Sequence, residues 1–361
     1  MSELFNIKIS SNLKSYSVIV GRDIVQSRLE NQLMFRIVDD RLSALFPFTN
    51  HEPVVHVSAT EDKKTLESVA TIIETLRSKG ATRNAHIVAL GGGIIQDVAT
   101  FAASSYMRGI PWIYCPTTLL GMVDSCIGGK SSINVGQYKN IAGNFYPPDE
   151  IWIDTVFCDT LSSVQKAEGL CEAVKICFAG GEPFNDYLKW VDTYPDYLTD
   201  PSALAPIIGI ALSTKKLFIE EDEFDNGIRR LLNFGHTFGH AIEGATHYEI
   251  SHGIAVGLGV IAAIHISVQL GRVSADHPRV QALLTQVQNL LRTVPSLSAT
   301  IQELDTHAAM TCFRSDKKHS STHFAMILLN EAAELEFSQH PRTDAIEALI
   351  QTTFGHIKEQ T

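Results

Sequence analysis

The chain has 361 residues, 45% of them hydrophobic, and a formal net charge of -11. That length exceeds the usual single-core size, so two packed domains are expected, each with ample apolar material. The acidic balance argues against nucleic acid or an anionic membrane as the main partner, and any phosphate must be met by a local basic cluster.

The start, MSELFNIKISS, has no basic region followed by an apolar one and does not read as a signal peptide. Alternation from Phe5 to Val20 predicts a hairpin, and Phe35 to Val38 predicts a short strand ending in Asp39 and Asp40. A carboxylate just past a strand either grips a ribose hydroxyl or caps a helix. Val54 to Val57 reads as the next strand, followed by Glu61, Lys64 and a helical run to Lys79. Then His86 to Leu90, the triplet Gly91-Gly92-Gly93 and the helical pattern Ile94 to Ala103 form a strand, glycine turn and helix start. Such a unit cradles phosphate, because backbone N–H groups and the helix dipole face the anion and no side chain blocks it. It is neither GxGxxG nor a Walker loop, and a plain tight turn is the alternative. Trp112 to Cys115 repeats the pattern and delivers Pro116-Thr117-Thr118 to the same edge, which favours a dinucleotide.

The stretch Met122 to Asn140 reads as a glycine-bearing loop carrying Asp124, Lys130, Lys139 and Asn140, a local source of positive charge for a phosphorylated substrate. Glu172 and Lys175 lie three apart in an apolar helical run; a buried carboxylate there wants a cation, and Zn²⁺ would serve. Beyond Ile151 long helices are expected over Val164–Phe178, Ala203–Glu220, Asn233–Thr246, Gly253–Leu270 and Pro278–Leu291. The apolar run Gly253–Leu270 contains His265, Ser267 and Gln269 and reads as a buried helix, so neither a membrane nor secretion is expected and the location is cytoplasmic. His236 and His240 share one helix face, a usable pair for a metal or an anion, with His252, Asn233 and Arg229 nearby. Thr237 stands where an HExxH protease would place its glutamate. Ser315 to Lys318 reads as a charged turn before a strand-like Phe324–Leu329, and the six cysteines, without CxxC spacing, as reduced core thiols. The fold class is α/β: a Rossmann-like nucleotide domain over residues 1–160, then an all-α metal and substrate domain over 161–361.

Taken together, GGGIIQD, YMRG, PTTLL, VDSCIGGKSSIN, YKN, CEAVK, LLNFGHTFGHAIE, HG and DKK resemble, in order, the motif series of the 3-dehydroquinate synthases within the sugar phosphate cyclases. The resemblance spans essentially the whole chain. It implies a Zn²⁺ site of Glu172, His236 and His252, for which Co²⁺ could substitute, and turns His240 into a substrate-phosphate contact. It also implies an NAD site using Asp39, Glu61, Lys64, Gly92, Gly93, Asp97, Thr117 and Thr118, with Lys130 and Lys139 facing cofactor and substrate and a further contact near Phe157 to Thr160. Arg108, Asp124, Asn140, Lys175, Asn233 and one of Lys317 and Lys318 would complete the substrate shell, and Lys215 and Arg229 match positions facing a substrate carboxylate. The implied activity converts a small phosphorylated sugar acid to a carbocycle with transient NAD oxidation and loss of phosphate, in a homodimer. Gln96, Ser131, Cys171 and Ile254 depart from the family's usual glycine, threonine, small residue and glutamate, which leaves open a cyclase of secondary metabolism acting on sedoheptulose 7-phosphate or an amino-sugar. An NAD- and metal-dependent polyol dehydrogenase is the rival outside the cyclases, but an uncharged polyol needs no set of cations such as Lys130, Lys139, Lys215 and Arg229.

Overall fold

A computed structural model describes residues 2–30, 34–136 and 138–360. They form two compact units, Met1–Leu161 with Asp196–Glu223, and Ser162–Pro195 with Phe224–Thr361.

The first unit opens with the predicted hairpin, β1 (Ser2–Ile9) and β2 (Tyr16–Arg22), then α1 (Ile24–Glu30), β3 (Phe35–Asp39), the short α2 (Leu42–Leu45) and β4 (Val54–Val57). There follow α3 (Leu66–Ser78), β5 (Ile87–Gly91), α4 (Gly93–Ser105), β6 (Trp112–Pro116), a second hairpin of β7 (Lys130–Val135) and β8 (Tyr138–Phe145), and β9 (Glu150–Asp154). The sheet order is β1-β2-β9-β6-β5-β3-β4, with every pair parallel except β1–β2. Every residue of β5 and β6 is buried, as strands covered on both faces require. From β3 the chain steps outward to β4, then returns past β3 to β5 and β6 on the other side. The strand order therefore reverses between β3 and β5, and the crevice at their carboxyl ends is where open α/β sheets bind ligands.

The stretch Met122–Asn140 is not the expected loop: a π-helical turn over Gly121–Ser125 leads into the β7–β8 hairpin. The strand signal was hidden because β8 is largely exposed and carries no apolar alternation. Within that stretch Gln137 lies outside the described residues.

The chain then enters the second unit with α5 (Ser163–Ala179) and α6 (Glu182–Thr193) and returns to the first as α7 (Leu204–Glu221). A single boundary after residue 160 is thus corrected. Glu220 and Glu223 of this segment accept backbone hydrogen bonds from Ser10 (2.7 Å) and Asn12 (2.8 Å), and Gly209 packs on the Phe5 ring. The second unit continues with α8 (His236–Ala245), α9 (His252–Gln269), α10 (Pro278–Leu291), α11 (Leu297–Gln302) and α12 (Thr306–Arg314). It ends with an antiparallel hairpin of β10 (His323–Leu329) and β11 (Leu335–Pro341), then α13 (Asp344–Glu359). The unit is helical but not all-α, since this hairpin packs on α9 and its Leu329 N–H donates to Ser267 Oγ at 3.0 Å. Two helices, Pro201–Glu221 and His252–Gln269, are long and apolar enough to cross a membrane, but 61% and 78% of those windows are buried inside the protein, as in core helices.

Candidate active site

In the first unit the residues expected at a dinucleotide lie at the carboxyl ends of the parallel strands. Asp39 ends β3, Glu61 follows β4, Gly92 and Gly93 follow β5, Thr117 and Thr118 follow β6, and Phe157 and Thr160 follow β9. Gly92 is the N-cap of α4 without any capping side chain, and no acidic residue stands in the first turn. The leading amides of α4 are therefore open to an anion. A Cβ on Gly92 would come within 3.0 Å of the Thr118 methyl, so the β6 loop packs against bare backbone there.

Asp97 and Lys64 are joined at 2.8 Å, and Ser132 of β7 donates to both carboxylate oxygens of Asp97, from N at 2.9 Å and from Oγ at 3.2 Å. Burial raises the Asp97 pKa above its ordinary value against the opposing pull of Lys64. Asn134 donates to Glu61 Oε1 at 2.8 Å and accepts from Asn140 N at 2.9 Å, so β7 ties Glu61, Lys64, Asp97 and Asn140 into one polar network. Sequence reasoning missed Ser132 and Asn134 because the hairpin itself was missed. Asp39 caps no helix; its Oδ1 and Oδ2 are held by Arg41 Nε (3.1 Å) and Nη2 (2.9 Å). Phe157 is a core ring, 4.8 Å edge-to-face from Phe46, and Thr160 bonds its carbonyl at 3.1 Å. Arg108, Lys130, Lys139 and Asn140 are exposed. Met107 (φ 50), Arg108 (φ 70) and Asn140 (φ 53) hold left-handed backbone, a cost of order 1–3 kcal/mol each that is commonest at functional sites.

Lys215 of α7 is buried and reaches Asp124, bonding its carbonyl and, at 2.8 Å, its Oδ1. The departure at Gln96 explains how that turn is fixed: Gln96 Nε2 donates to Ser125 O and Gln96 Oε1 accepts from Ser125 Oγ, both at 2.7 Å.

In the second unit glycines bring three helices into close approach. A Cβ on Gly253 would lie 2.3 Å from Glu168 O of α5, one on Gly257 2.9 Å from Cys171 Sγ, and one on Gly259 2.0 Å from Gly235 O. Gly235 also has φ 78, so the start of α8 admits no other residue without strain. This approach sets Glu172 of α5 against the histidines: its Oε1 is 3.5 Å from His236 Nε2 and 3.7 Å from His252 Nε2. Glu172 is fully buried, and neither carboxylate oxygen has a hydrogen-bond partner among the described residues, although Lys175 Nζ closes on Oε2 as an ion pair. A buried carboxylate oxygen without a hydrogen-bond partner, facing two imidazole nitrogens, completes a donor set that fits a divalent cation. The far nitrogens are already oriented, His236 Nδ1 at 3.3 Å from Phe234 O and His252 Nδ1 at 3.1 Å from Glu243 Oε2. Burial, then Lys175, push the His236 pKa well down, which favours the neutral ligand form. Burial opposes protonation of His252, but Glu243 and Glu172 raise its pKa on balance.

His240 offers a ring nitrogen within 4.8 Å of the donors of His236 and His252, yet it is exposed and faces Asp316 at 4.0 Å, while Glu172 contacts the other two. Lys318 pairs with Asp316 at 3.2 Å and lines a recess with Asn233 and Thr237, whereas Lys317 is exposed; of the two lysines it is Lys318 that joins the cluster. Arg229 is buried and Asn233 donates to Arg230 O at 3.1 Å. Glu243 went unread, although its spacing from His236 and His240 puts it on their helix face.

The chain matches the family models described as 3-dehydroquinate synthase N-terminal over residues 54–168 and 3-dehydroquinate synthase C-terminal over residues 169–319. It is 36% identical over 339 residues to the 3-dehydroquinate synthase of Methylococcus capsulatus, covering 89% of this chain and 91% of that one. Among solved structures it resembles 2-deoxy-scyllo-inosose synthase complexed with carbaglucose-6-phosphate, NAD+ and Co²⁺ (TM-score 0.81, 24% identity, 96% of this chain and 100% of that chain). A second is 2-epi-5-epi-valiolone synthase from Streptomyces hygroscopicus subsp. jinggangensis with NAD+ and Zn²⁺ bound (TM-score 0.81, 23% identity, 98% and 99%). These two likenesses speak to the fold alone. With both halves matched by their models, and with close relatives aligned over nearly the full length, the chain belongs to the 3-dehydroquinate synthase family.

Proposed function

We propose that the protein converts 3-deoxy-arabino-heptulosonate 7-phosphate to 3-dehydroquinate and phosphate, with NAD and Zn²⁺ as cofactors, and so is a carbon–oxygen lyase of the shikimate pathway. The observation that carries the reading is the buried Glu172 carboxylate, whose Oε1 has no hydrogen-bond partner among the described residues and faces His236 and His252, in a family member. Glu172, His236 and His252 would hold the metal, and the crevice beside β3 and β5 the dinucleotide. When bound, NAD supplies reversible oxidation of a secondary alcohol and the metal lowers that alcohol's pKa.

The chain's own residues do the rest. The open first turn of α4 holds the dinucleotide's pyrophosphate, and the Lys64–Asp97–Ser132 network fixes the floor beside it. Glu243 holds His252, and the Phe234 carbonyl holds His236, each with Nε2 presented. Lys175 keeps the Glu172 charge compensated inside the helical unit. Lys130, Lys139, Asn140, Arg108 and His240 are assigned to the substrate phosphate, which must be bound as it leaves. Lys215, presented by Asp124, and Arg229 are assigned to the carboxylate. A cytoplasmic homodimer is part of the same proposal, on the family resemblance.

The test is phosphate release by zinc-loaded protein with NAD+, offering the heptulosonate phosphate and sedoheptulose 7-phosphate in parallel and identifying products by mass. Dehydroquinate from the first alone, without net NADH, is expected. Turnover of the second alone would instead make this a cyclase of carboxylate-free sugars, and net NADH from a simple polyol would make it a dehydrogenase.

A further inference from the structure

Arg108 stands in a backbone reversal in which Met107 (φ 50), Arg108 (φ 70) and Gly109 (φ 109) follow one another in the left-handed region. Two of the three are not glycine, so the turn persists only because its surroundings over-determine it. Both of its ends are pinned. Tyr106 is buried and its hydroxyl donates to Ala81 O at 2.7 Å, while Ile110 N donates to Ala103 O of α4 at 3.0 Å. The Arg108 guanidinium itself is exposed and meets no hydrogen-bonding or ionic partner among the described residues.

The remaining restraint comes from the exit of β8. Tyr146 lays its hydroxyl against Gly109, where a Cβ would lie 3.0 Å from it, and donates to Ile110 O at 3.0 Å. Two residues earlier a relay of hydrogen bonds runs from β7 to α4. Ser131 Oγ donates to Asn144 Oδ1 at 2.7 Å, Asn144 Nδ2 to Ser104 Oγ at 2.6 Å, and Ser104 Oγ to Phe101 O at 2.9 Å. Each hydroxyl has one proton to give, so the relay runs one way and sets the orientation of the Asn144 amide. Tyr146 N also donates to Gly129 O at 2.8 Å. Lys130 lies between Gly129 and Ser131, so residues 144 and 146 hold the strand that carries Lys130 and the turn that carries Arg108 in one frame.

We propose that Asn144 and Tyr146 are positioning residues that act through Arg108, holding its strained turn in register with Lys130 so that both cations meet the oxygens of one phosphate. Cations held in place before the anion arrives lose little freedom on binding it, so the cost of the turn returns as phosphate affinity. This rests on the function proposed above, which assigns Arg108 and Lys130 to the substrate phosphate.

The test is a double-mutant cycle on zinc- and NAD-loaded protein. Tyr146→Phe removes the hydroxyl and keeps the ring, Asn144→Ala breaks the relay, and each is made alone and together with Arg108→Ala. Kd for inorganic phosphate is read by calorimetry, kcat/KM for 3-deoxy-arabino-heptulosonate 7-phosphate by phosphate release, and a thermal melt checks the fold of every variant. Each single change at 144 or 146 is expected to weaken phosphate binding and lower kcat/KM about three- to tenfold, the contribution of one neutral hydrogen bond. In the Arg108→Ala background the same changes should move either quantity by less than about twofold. Equal losses in both backgrounds would make the contacts merely structural and overturn the proposal, as would no loss in the parent background. Phosphate binding untouched by Arg108→Ala alone would overturn it together with the assignment of Arg108. Protein whose phosphate affinity depends on Tyr146 through Arg108, but which never turns over the sugar acid, would uphold the positioning role and refute the proposed reaction.

Discussion

Replacing Glu243 is predicted to loosen the metal centre without unfolding the helices that carry it. His252 Nδ1 lies 3.1 Å from Glu243 Oε2, with the carboxylate side chain 13% exposed and the imidazole 37%. A hydrogen bond to a charged partner contributes about 1.5–3 kcal/mol and a neutral one about 0.5–1.5 kcal/mol. The partial exposure of the histidine places this bond at the lower end of the charged range. Glu243→Gln should therefore cost about 1 kcal/mol of metal binding, roughly a fivefold weaker affinity. Glu243→Ala, which removes the acceptor, should cost about 1.5 kcal/mol, roughly tenfold, the lower end for such supporting contacts. Competition with a chromophoric chelator measures Zn²⁺ affinity directly, and circular dichroism of the metal-free variants checks that they fold. An alanine variant that folds and binds zinc as tightly as the parent would refute the reasoning, because packing alone would then orient His252. The same logic addresses Ile254, where the motif resemblance leads one to expect glutamate. Its side chain is 1% exposed, so Ile254→Glu should destabilise the protein by burying a charge rather than tighten the metal site, as a thermal melt with and without zinc would show.

Gln96→Gly, which introduces the residue the motif resemblance leads one to expect, removes two 2.7 Å hydrogen bonds to Ser125 and places glycine inside α4. A loss of about 2–3 kcal/mol in denaturant unfolding is expected, together with a weaker hold on Asp124 that raises KM. In Gly253→Ala the new methyl meets Glu168 O at 2.3 Å, so α9 must back away from α5. Zinc affinity and Tm should fall together, and retention of both would show that the helices can separate without harm. Asp305 caps α12 by accepting from His307 N at 2.8 Å and Ala308 N at 3.2 Å, and those bonds depress its pKa. A depressed folded-state value means that the stabilisation is complete above the ordinary carboxylate pKa of about 3.9 and is lost as pH falls through the lower folded value. Asp305→Ala should accordingly lower Tm near neutrality, with the gap to the parent closing below about pH 4.

The strands of the first 120 residues and the helices α3 and α4 were legible, though α1 and α2 were not, because fully buried parallel strands and glycine turns write strong local signals, as Ile87–Gly91 followed by α4 does. Most long helices were equally legible, Pro278–Leu291 to its ends and His252–Gln269 to within a residue, although α13 went unread. The motif series also pointed to the metal set proposed here, which spacing alone had not, since Glu172 lies 64 residues before His236 and no periodicity links them. What the sequence could not express is approach. The β7–β8 hairpin is half solvated and patterned by partners such as Asp97 rather than by a core. The return of α7 to the first unit depends on carboxylates that meet the β1–β2 turn two hundred residues away. Only the folded chain shows that Gly253 and Gly259 bring the α9 backbone against that of α5 and of the start of α8, or that Lys318 rather than Lys317 faces the cluster. Local sequence specifies elements through period and turn chemistry, whereas donor convergence depends on distances between elements, which tertiary packing alone sets.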